Sequence, residues 1–368
     1  MRFIVAFWML MAVSAPALAM DADLQARLGQ MLLVGFRGQS VEQAEAVVRD
    51  IREYNLGGVI LFDRDVQLGS TDRNIADPEQ VRRLTAGLQA LSATPLFIGV
   101  DQEGGRVRRL REERGFPVGP SAKVLGQGSP EATIAQGRQT GELLAGLGIN
   151  LNFAPVADVD VNPASPAIGL LERSFSADPE QVAVHAHMFA EGLQSAGVVP
   201  CLKHFPGHGS AAADSHLGLT DISRTWSPTE LIPYQRLIPL QASPVIMTGH
   251  LFLEQFDPDH PATLSAPILT GLLRRQLGFD GVIVSDDMQM RAIVHHYGLD
   301  EAVILAVEAG VDILLFGNNL DYDPEIVPKV VAILARAVDA GRLSPERIET
   351  SLMRIAALKR LVPGAGQP

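Results

Sequence analysis

The chain has 368 residues, 47% apolar and 20% charged, an ordinary globular profile with room for one large domain or two smaller ones. Its formal net charge of −12, with no run of Lys or Arg, argues against nucleic acid or an anionic membrane surface as the main partner and suits a small, weakly charged substrate. The single cysteine, Cys201, excludes an internal disulfide, and its place in the apolar run from Val198 to Leu202 reads as a small buried strand residue rather than a nucleophile.

At the N-terminus, Arg2 precedes the apolar run Phe3 to Val13, and Ala17-Leu18-Ala19 has the small-x-small pattern of a signal-peptidase site. Residues 1–19 are therefore expected to be a signal peptide, with the mature protein starting near Met20 and acting in the periplasm or outside the cell. Pro16 ends the run short of the roughly 20 residues that a membrane span needs. No cysteine lies beside the predicted cleavage point, so no lipid attachment is expected there.

Eight short apolar runs follow, separated by amphipathic stretches: Leu32 to Phe36, Gly57 to Phe62, Pro95 to Val100, Leu151 to Val156, Val198 to His204, Pro244 to Gly249, Gly281 to Ser285 and Asp312 to Phe316. Continuous apolar runs of this length are what strands buried on both faces of a parallel sheet require. The stretches Val41 to Tyr54, Pro78 to Leu91, Glu131 to Leu147, Pro179 to Ala196, Pro267 to Leu277 and Leu299 to Ala309 read as helices, several opening on Ser, Asp or Pro. The alternation predicts an α/β fold, a single TIM-type (β/α)8 barrel over residues 20–368, although an open doubly wound sheet has the same local pattern. The chain exceeds a minimal barrel of roughly 250 residues, and the surplus lies in long loops after the second to fifth strands, where a barrel builds its active face.

Polar residues concentrate at the ends of these runs. After the third run comes Asp101-Gln102-Glu103-Gly104-Gly105-Arg106; after the fifth, Lys203-His204-Phe205-Pro206-Gly207-His208-Gly209 and then Asp214-Ser215-His216; after the sixth, His250; after the seventh, Ser285-Asp286-Asp287. Asp286 and Asp287 are adjacent at a strand end, so their side chains leave it in opposite directions, one free for chemistry and the other for capping or pairing. Glycines and alanines around Asp214 and His216 describe a loop able to deliver a side chain. A carboxylate beside an imidazole raises its pKa and fixes its tautomer, as proton transfer to a leaving group requires. A metal site is the competing reading, because His204, His208, Asp214, His216 and His250 are ligand types that zinc prefers. Lys203 beside these residues fits that reading less well. A non-catalytic sugar-binding protein would want aromatic platforms, and only 5% of the chain is aromatic.

Taken together, the motifs resemble those of the β-N-acetylhexosaminidases of glycoside hydrolase family 3. Those matching in order are GGVILF at Gly57, IGVDQEGGRV at Ile98, NFAPVADV at Asn152, AIG at Ala167, RSFSADP at Arg173, KHFPGHG with DSH after it at Lys203, PATLS at Pro261 and GVIVSDDM at Gly281. KHFPGHG with DSH is the most specific, since the β-glucosidases of that family lack this His. The resemblance implies a retaining hydrolase for terminal β-linked N-acetylglucosamine that needs no cofactor. Asp286 would be the nucleophile, His216 the acid/base and Asp214 its partner, while Asp101, Arg173, Lys203 and His204 would hold the terminal sugar. The same dyad would tolerate phosphate as an alternative acceptor.

The stretch Ile168 to Arg173 is longer than the compact form of the cytoplasmic muropeptide-recycling members, which bears on the placement of Arg173. An exported relative would meet chitin-derived oligosaccharides or peptidoglycan fragments, with a monomer as the expected state. The competing structural roles are pairing of Asp101 with Arg106 and bracing of its own loop by Arg173.

Overall fold

The computed structural model describes residues 22–213, 218 and 220–362. The predicted signal peptide, Asp214 and His216 lie outside the described residues. No helix among the described residues is long and apolar enough to cross a membrane.

All eight apolar runs form strands: β1 Leu32–Gly35, β2 Gly58–Ile60, β3 Phe97–Val100, β4 Leu151–Asn152, β5 in two pieces (Val199–Pro200 and Leu202–Phe205), β6 Val245–Thr248, β7 Val282–Val284 and β8 Leu314–Phe316. Every residue of these strands is buried, which explains why they read as unbroken apolar runs rather than alternating ones. Pairing is parallel throughout, in the order β8-β1-β2-β3-β4-β5 for one sheet and β7-β6-β5 for the other. The two sheets share β5, which is interrupted at the fully buried Cys201. Two parallel bridges, Val156 with Lys203 and Val284 with Ile313, also run between them.

The helices start where the sequence places their caps. Asp77 accepts from the amides of Glu79 and Gln80 ahead of helix Pro78–Leu91, and Ser129, Asp178 and Ser344 do the same for Pro130–Gly146, Pro179–Ser195 and Pro345–Lys359, each with proline in the first turn. The stretch expected as a helix over Pro267 to Leu277 is a π-helix, Pro267–Gln276. The one expected over Leu299 to Ala309 is the second part of a longer element, Arg291–Ala309, broken at Gly298. Its φ of 70° there is a left-handed conformation that glycine adopts without steric cost.

Helices Pro130–Gly146 and Pro179–Ser195 approach so closely that a Cβ on Gly137 would stand 2.4 Å from the Phe189 carbonyl oxygen. This pair flanks the long loop after β4, which carries Asp158 and Arg173 to the C-terminal ends of the strands.

Candidate active site

Asp101, Arg173, Lys203, His204 and Asp286, drawn from four different loops and strands, line one cavity of about 290 Å³ at the C-terminal ends of the strands. A larger cavity, about 490 Å³, lies among Val198, Val199, Pro244 and Gly281 at the opposite ends of β5 to β7, away from this cluster of charge.

Lys203 organises the charged wall. Its ammonium donates to Asp101 Oδ1 at 2.8 Å and lies 2.7 Å from Glu103 Oε1, with its side chain 2% exposed. Arg173 grips Glu103 with two parallel bonds of 2.7 and 2.8 Å, the bidentate geometry in which a guanidinium binds a carboxylate best. Its remaining nitrogen donates to the Ala167 carbonyl, so Arg173 also braces its own loop. Asp101 takes its second cation from Arg109 at 3.1 Å, not from Arg106, which instead donates to the Leu170 carbonyl.

The histidine end of the wall rests on Asp158. Asp158 Oδ2 lies 2.8 Å from His204 Nδ1, and Oδ1 accepts from the backbone amides of His204 and His208 at 3.1 and 2.8 Å. His204 Nε2 is left facing the Arg173 guanidinium at 3.4 Å. The Lys203–His204 and Phe205–Pro206 peptides are both cis.

The protonation states follow from this pairing. Burial by itself would raise the carboxyl pKa of Asp101, but the charges of Lys203 and Arg109 overcome it and hold the group well below the usual range. Glu103 is likewise lowered, burial being outweighed by Arg173 and Lys203. Asp158 is held at about 2, its burial offset by His204 and the donors around it. Burial works against the charge of Lys203 and Arg173 too, yet their carboxylate partners raise both. His208 goes the other way, pushed down to about 4 by burial first and by His204 second, so it is neutral at physiological pH. The wall therefore carries balanced, paired charge, which suits a ligand bearing hydroxyl and amide groups rather than net charge.

Both adjacent aspartates line the cavity, and it is their hydrogen bonds that set them apart. Asp287 Oδ1 accepts from the amides of Gln289 and Gly317 at 3.0 and 2.9 Å, tying the ends of β7 and β8 together. Asp286 Oδ1 accepts from the Asp287 amide at 2.8 Å, and the residue sits at the cavity. His250 is spent on structure: Nε2 lies 2.9 Å from the Asp287 carbonyl, to which it must donate, and Nδ1 lies 2.8 Å from the Thr263 hydroxyl. Among the described residues, no three His, Cys, Asp or Glu side chains converge as metal ligands.

Three site residues went unassigned in the sequence: Glu103, Asp158 and Arg109. Glu103 and Asp158 lie inside the DQEGGRV and NFAPVADV stretches, and a charged residue next to an apolar strand end was the available signal.

This is a glycosidase-type site on a parallel α/β scaffold, and comparison with known proteins gives its family. The model of the glycosyl hydrolase family 3 N terminal domain matches residues 23–358. Beta-hexosaminidase LpqI of Mycobacterium tuberculosis is 38% identical over 361 residues, covering 96% of this chain and 86% of that protein. Among solved structures, a family 3 β-N-acetylglucosaminidase from Paenibacillus superposes with a TM-score of 0.84 at 37% identity, covering 94% of this chain and 64% of that one. A β-N-acetylhexosaminidase from Beutenbergia cavernae does so with a TM-score of 0.82 at 32% identity, covering 93% and 100%. The chain belongs to glycoside hydrolase family 3, among its β-hexosaminidases, and is a glycoside hydrolase.

Proposed function

We propose that the chain is an exported, retaining exo-enzyme that removes terminal β-linked N-acetylglucosamine from chitooligosaccharides or peptidoglycan fragments. The observation that carries this reading is the charge-balanced wall of Asp101, Arg173, Lys203 and His204 facing the same cavity as Asp286. Such a wall can hold the sugar's hydroxyls and acetamido group while the carboxylate approaches the anomeric carbon. The two bridges between the sheets support reading the eight strands as one closed barrel, with the site at its C-terminal mouth.

In the mechanism, Asp286 attacks the anomeric carbon as the glycosidic C–O bond breaks, and His216, protonated and paired with Asp214, gives its proton to the departing oxygen. Water then attacks the glycosyl-aspartate ester, losing a proton to His216, and the configuration is retained. Asp287 and His250 hold the strand ends and take no part in the chemistry.

Trapping with a slow fluorinated N-acetylglucosaminyl donor is expected to leave a sugar on the peptide containing Asp286. A turned-over enzyme without that adduct defeats the covalent mechanism. Rates on chitobiose, a muropeptide disaccharide and an aryl β-glucoside, each with and without phosphate, identify the leaving group and the acceptor. Activity that survives a chelator excludes metal dependence. N-terminal sequencing of the protein recovered from the periplasm or medium is expected to start near Met20.

A further inference from the structure

Among the described residues three basic side chains are buried, Arg73, Lys203 and Lys359, and two of them sit on carboxylates. Arg73 pairs with Asp65 at 2.6 Å, and Lys203 with Asp101 and Glu103 at 2.8 and 2.7 Å. Lys359, the last residue of helix Pro345–Lys359, has no carboxylate partner among the described residues. Its ammonium donates to Gln30 Oε1 at 2.7 Å and stands 5.1 Å from the centre of the Phe97 ring, both uncharged groups. Burial alone pushes its pKa down to about 7, whereas the acid partners of Lys203 raise that lysine.

The neutral acceptor is fixed in place. Gln30 Nε2 donates to the Asn55 carbonyl and, at 3.1 Å, to the Thr94 hydroxyl, which leaves Gln30 Oε1 for the lysine. An ammonium has three N–H donors, and this one makes a single hydrogen bond.

Lys359 and Gln30 line a cavity of about 410 Å³ at the N-terminal ends of β1 to β3, at the far end of the strands from the charged wall. No Asp or Glu lines it, although the chain as a whole carries a net charge of −12. Arg360 stands exposed at its edge, also without a carboxylate partner among the described residues. The helix contributes Leu352, Ile355 and Ala356 as well as Lys359, the i, i+3, i+4, i+7 spacing of a single face. An apolar stripe of about 10 Å therefore runs along the cavity and ends on the ammonium. A buried cation beside empty space, with no counter-charge, is a costly arrangement that an anion would relieve.

We propose that this cavity is a binding site for a small organic anion, a carboxylate on a short apolar chain. Lys359 takes the carboxylate, Arg360 adds positive charge at the mouth, and the stripe of Leu352, Ile355 and Ala356 takes the chain. An inorganic anion would satisfy the lysine but leave the stripe uncovered, so the apolar walls are what select the class of ligand.

The test is calorimetric titration of hexanoate, acetate and inorganic phosphate into the whole protein and its variants. Hexanoate is expected to bind wild type saturably, and acetate and phosphate at least about tenfold more weakly, since neither covers the stripe. Lys359→Met keeps an unbranched side chain without the charge and is expected to weaken hexanoate at least about tenfold, and the exposed Arg360→Gln about threefold. Saturating N-acetylglucosamine is expected to leave hexanoate affinity unchanged, because the catalytic cavity lies at the other end of the strands. The proposal is overturned by absence of saturable hexanoate binding, by phosphate binding as tightly as hexanoate, by wild-type affinity in Lys359→Met, or by displacement with N-acetylglucosamine. If Lys359→Met does not fold, Ala356→Phe decides: it fills the apolar half of the cavity from an exposed position, and hexanoate binding that survives it removes the site.

Discussion

Asp101 and Asp312 stand at opposite ends of the same parallel strands, each among basic side chains, and the contrast between them separates a site from a staple. Asp312, just before β8, is completely buried. Its oxygens take Arg274 at 2.6 Å, the Ser351 hydroxyl at 2.7 Å, the Ile283 amide at 3.0 Å, and Arg354 and Arg347 at 3.3 and 3.5 Å. These donors come from a neighbouring strand, the π-helix Pro267–Gln276 and the last helix, Pro345–Lys359, so the carboxylate binds helices to the base of the sheet. Asp101 is 16% exposed in its side chain and opens on a cavity.

The cations respond differently at the two ends. Around Asp312 three arginines share one carboxylate, and burial with their mutual repulsion pushes Arg274 down to about 10 and lowers Arg347. In the site, burial acts in the same direction on Lys203 and Arg173, but Asp101, Glu103 and Asp158 outweigh it. Burial and ion pairing are thus common to both ends. What marks the site is balanced charge arranged around open space.

The largest effect expected is on chemistry alone. Asp286→Ala should reduce kcat by about 10⁴-fold or more while leaving the thermal midpoint near that of wild type. Asp312→Ala should do the reverse: it leaves buried arginines without their anion and costs about 3–5 kcal/mol of stability, whereas kcat/KM per folded molecule stays unchanged. An Asp312 variant with full stability and impaired turnover would break the contrast. Lys203→Met lies between, because it strands Asp101 and Glu103 and also removes a wall contact, so activity and unfolding free energy should both fall, the latter by about 2–4 kcal/mol.

The smallest expected effect is in pH dependence, and its sign differs between the wall of the site and Glu230, buried on the 3₁₀ turn Pro228–Leu231 with its carboxylate on the Gly209 amide. Asp101, Glu103 and Asp158 have lowered values, so the stability they contribute is present above the ordinary carboxyl range and is lost as pH falls, down to about 2 for Asp158. Glu230 is raised, so its contribution is fully present below 4.5 and is lost as pH rises through about 7. Denaturation of wild type and Glu230→Gln between pH 4.5 and 8 should therefore diverge, wild type losing up to about 3 kcal/mol relative to the variant. Parallel curves would remove Glu230 from the account.

Much of the scaffold was legible because burial on both faces forces strands into continuous apolar runs. All eight runs became strands, and the Asp and Ser caps marked the helix starts. The conformations of Arg291–Ala309 and Pro267–Gln276 were not legible, since a left-handed glycine and a π-turn leave the apolar pattern almost intact. Among site residues, Asp101, Lys203, His204 and Asp286 were marked by charge at strand ends and Arg173 only by the family resemblance of the motif around it, and the five meet at one cavity. The longer stretch from Ile168 to Arg173 folds into a 3₁₀ turn, Gly169–Leu171, and a left-handed Glu172 that together return Arg173 to Glu103.

By itself, then, the sequence determined which segments become strands, which end of them carries polar groups and to which family the motifs belong, because these depend on local burial and spacing. Only the tertiary structure decided which charge meets which. Glu103 pairs with Arg173 across 70 positions, Asp158 holds His204 across 46, and Glu230 reaches under a loop that begins before it. Those partnerships depend on how helices and loops pack around the strands, and no local pattern encodes a contact between side chains so far apart in the chain.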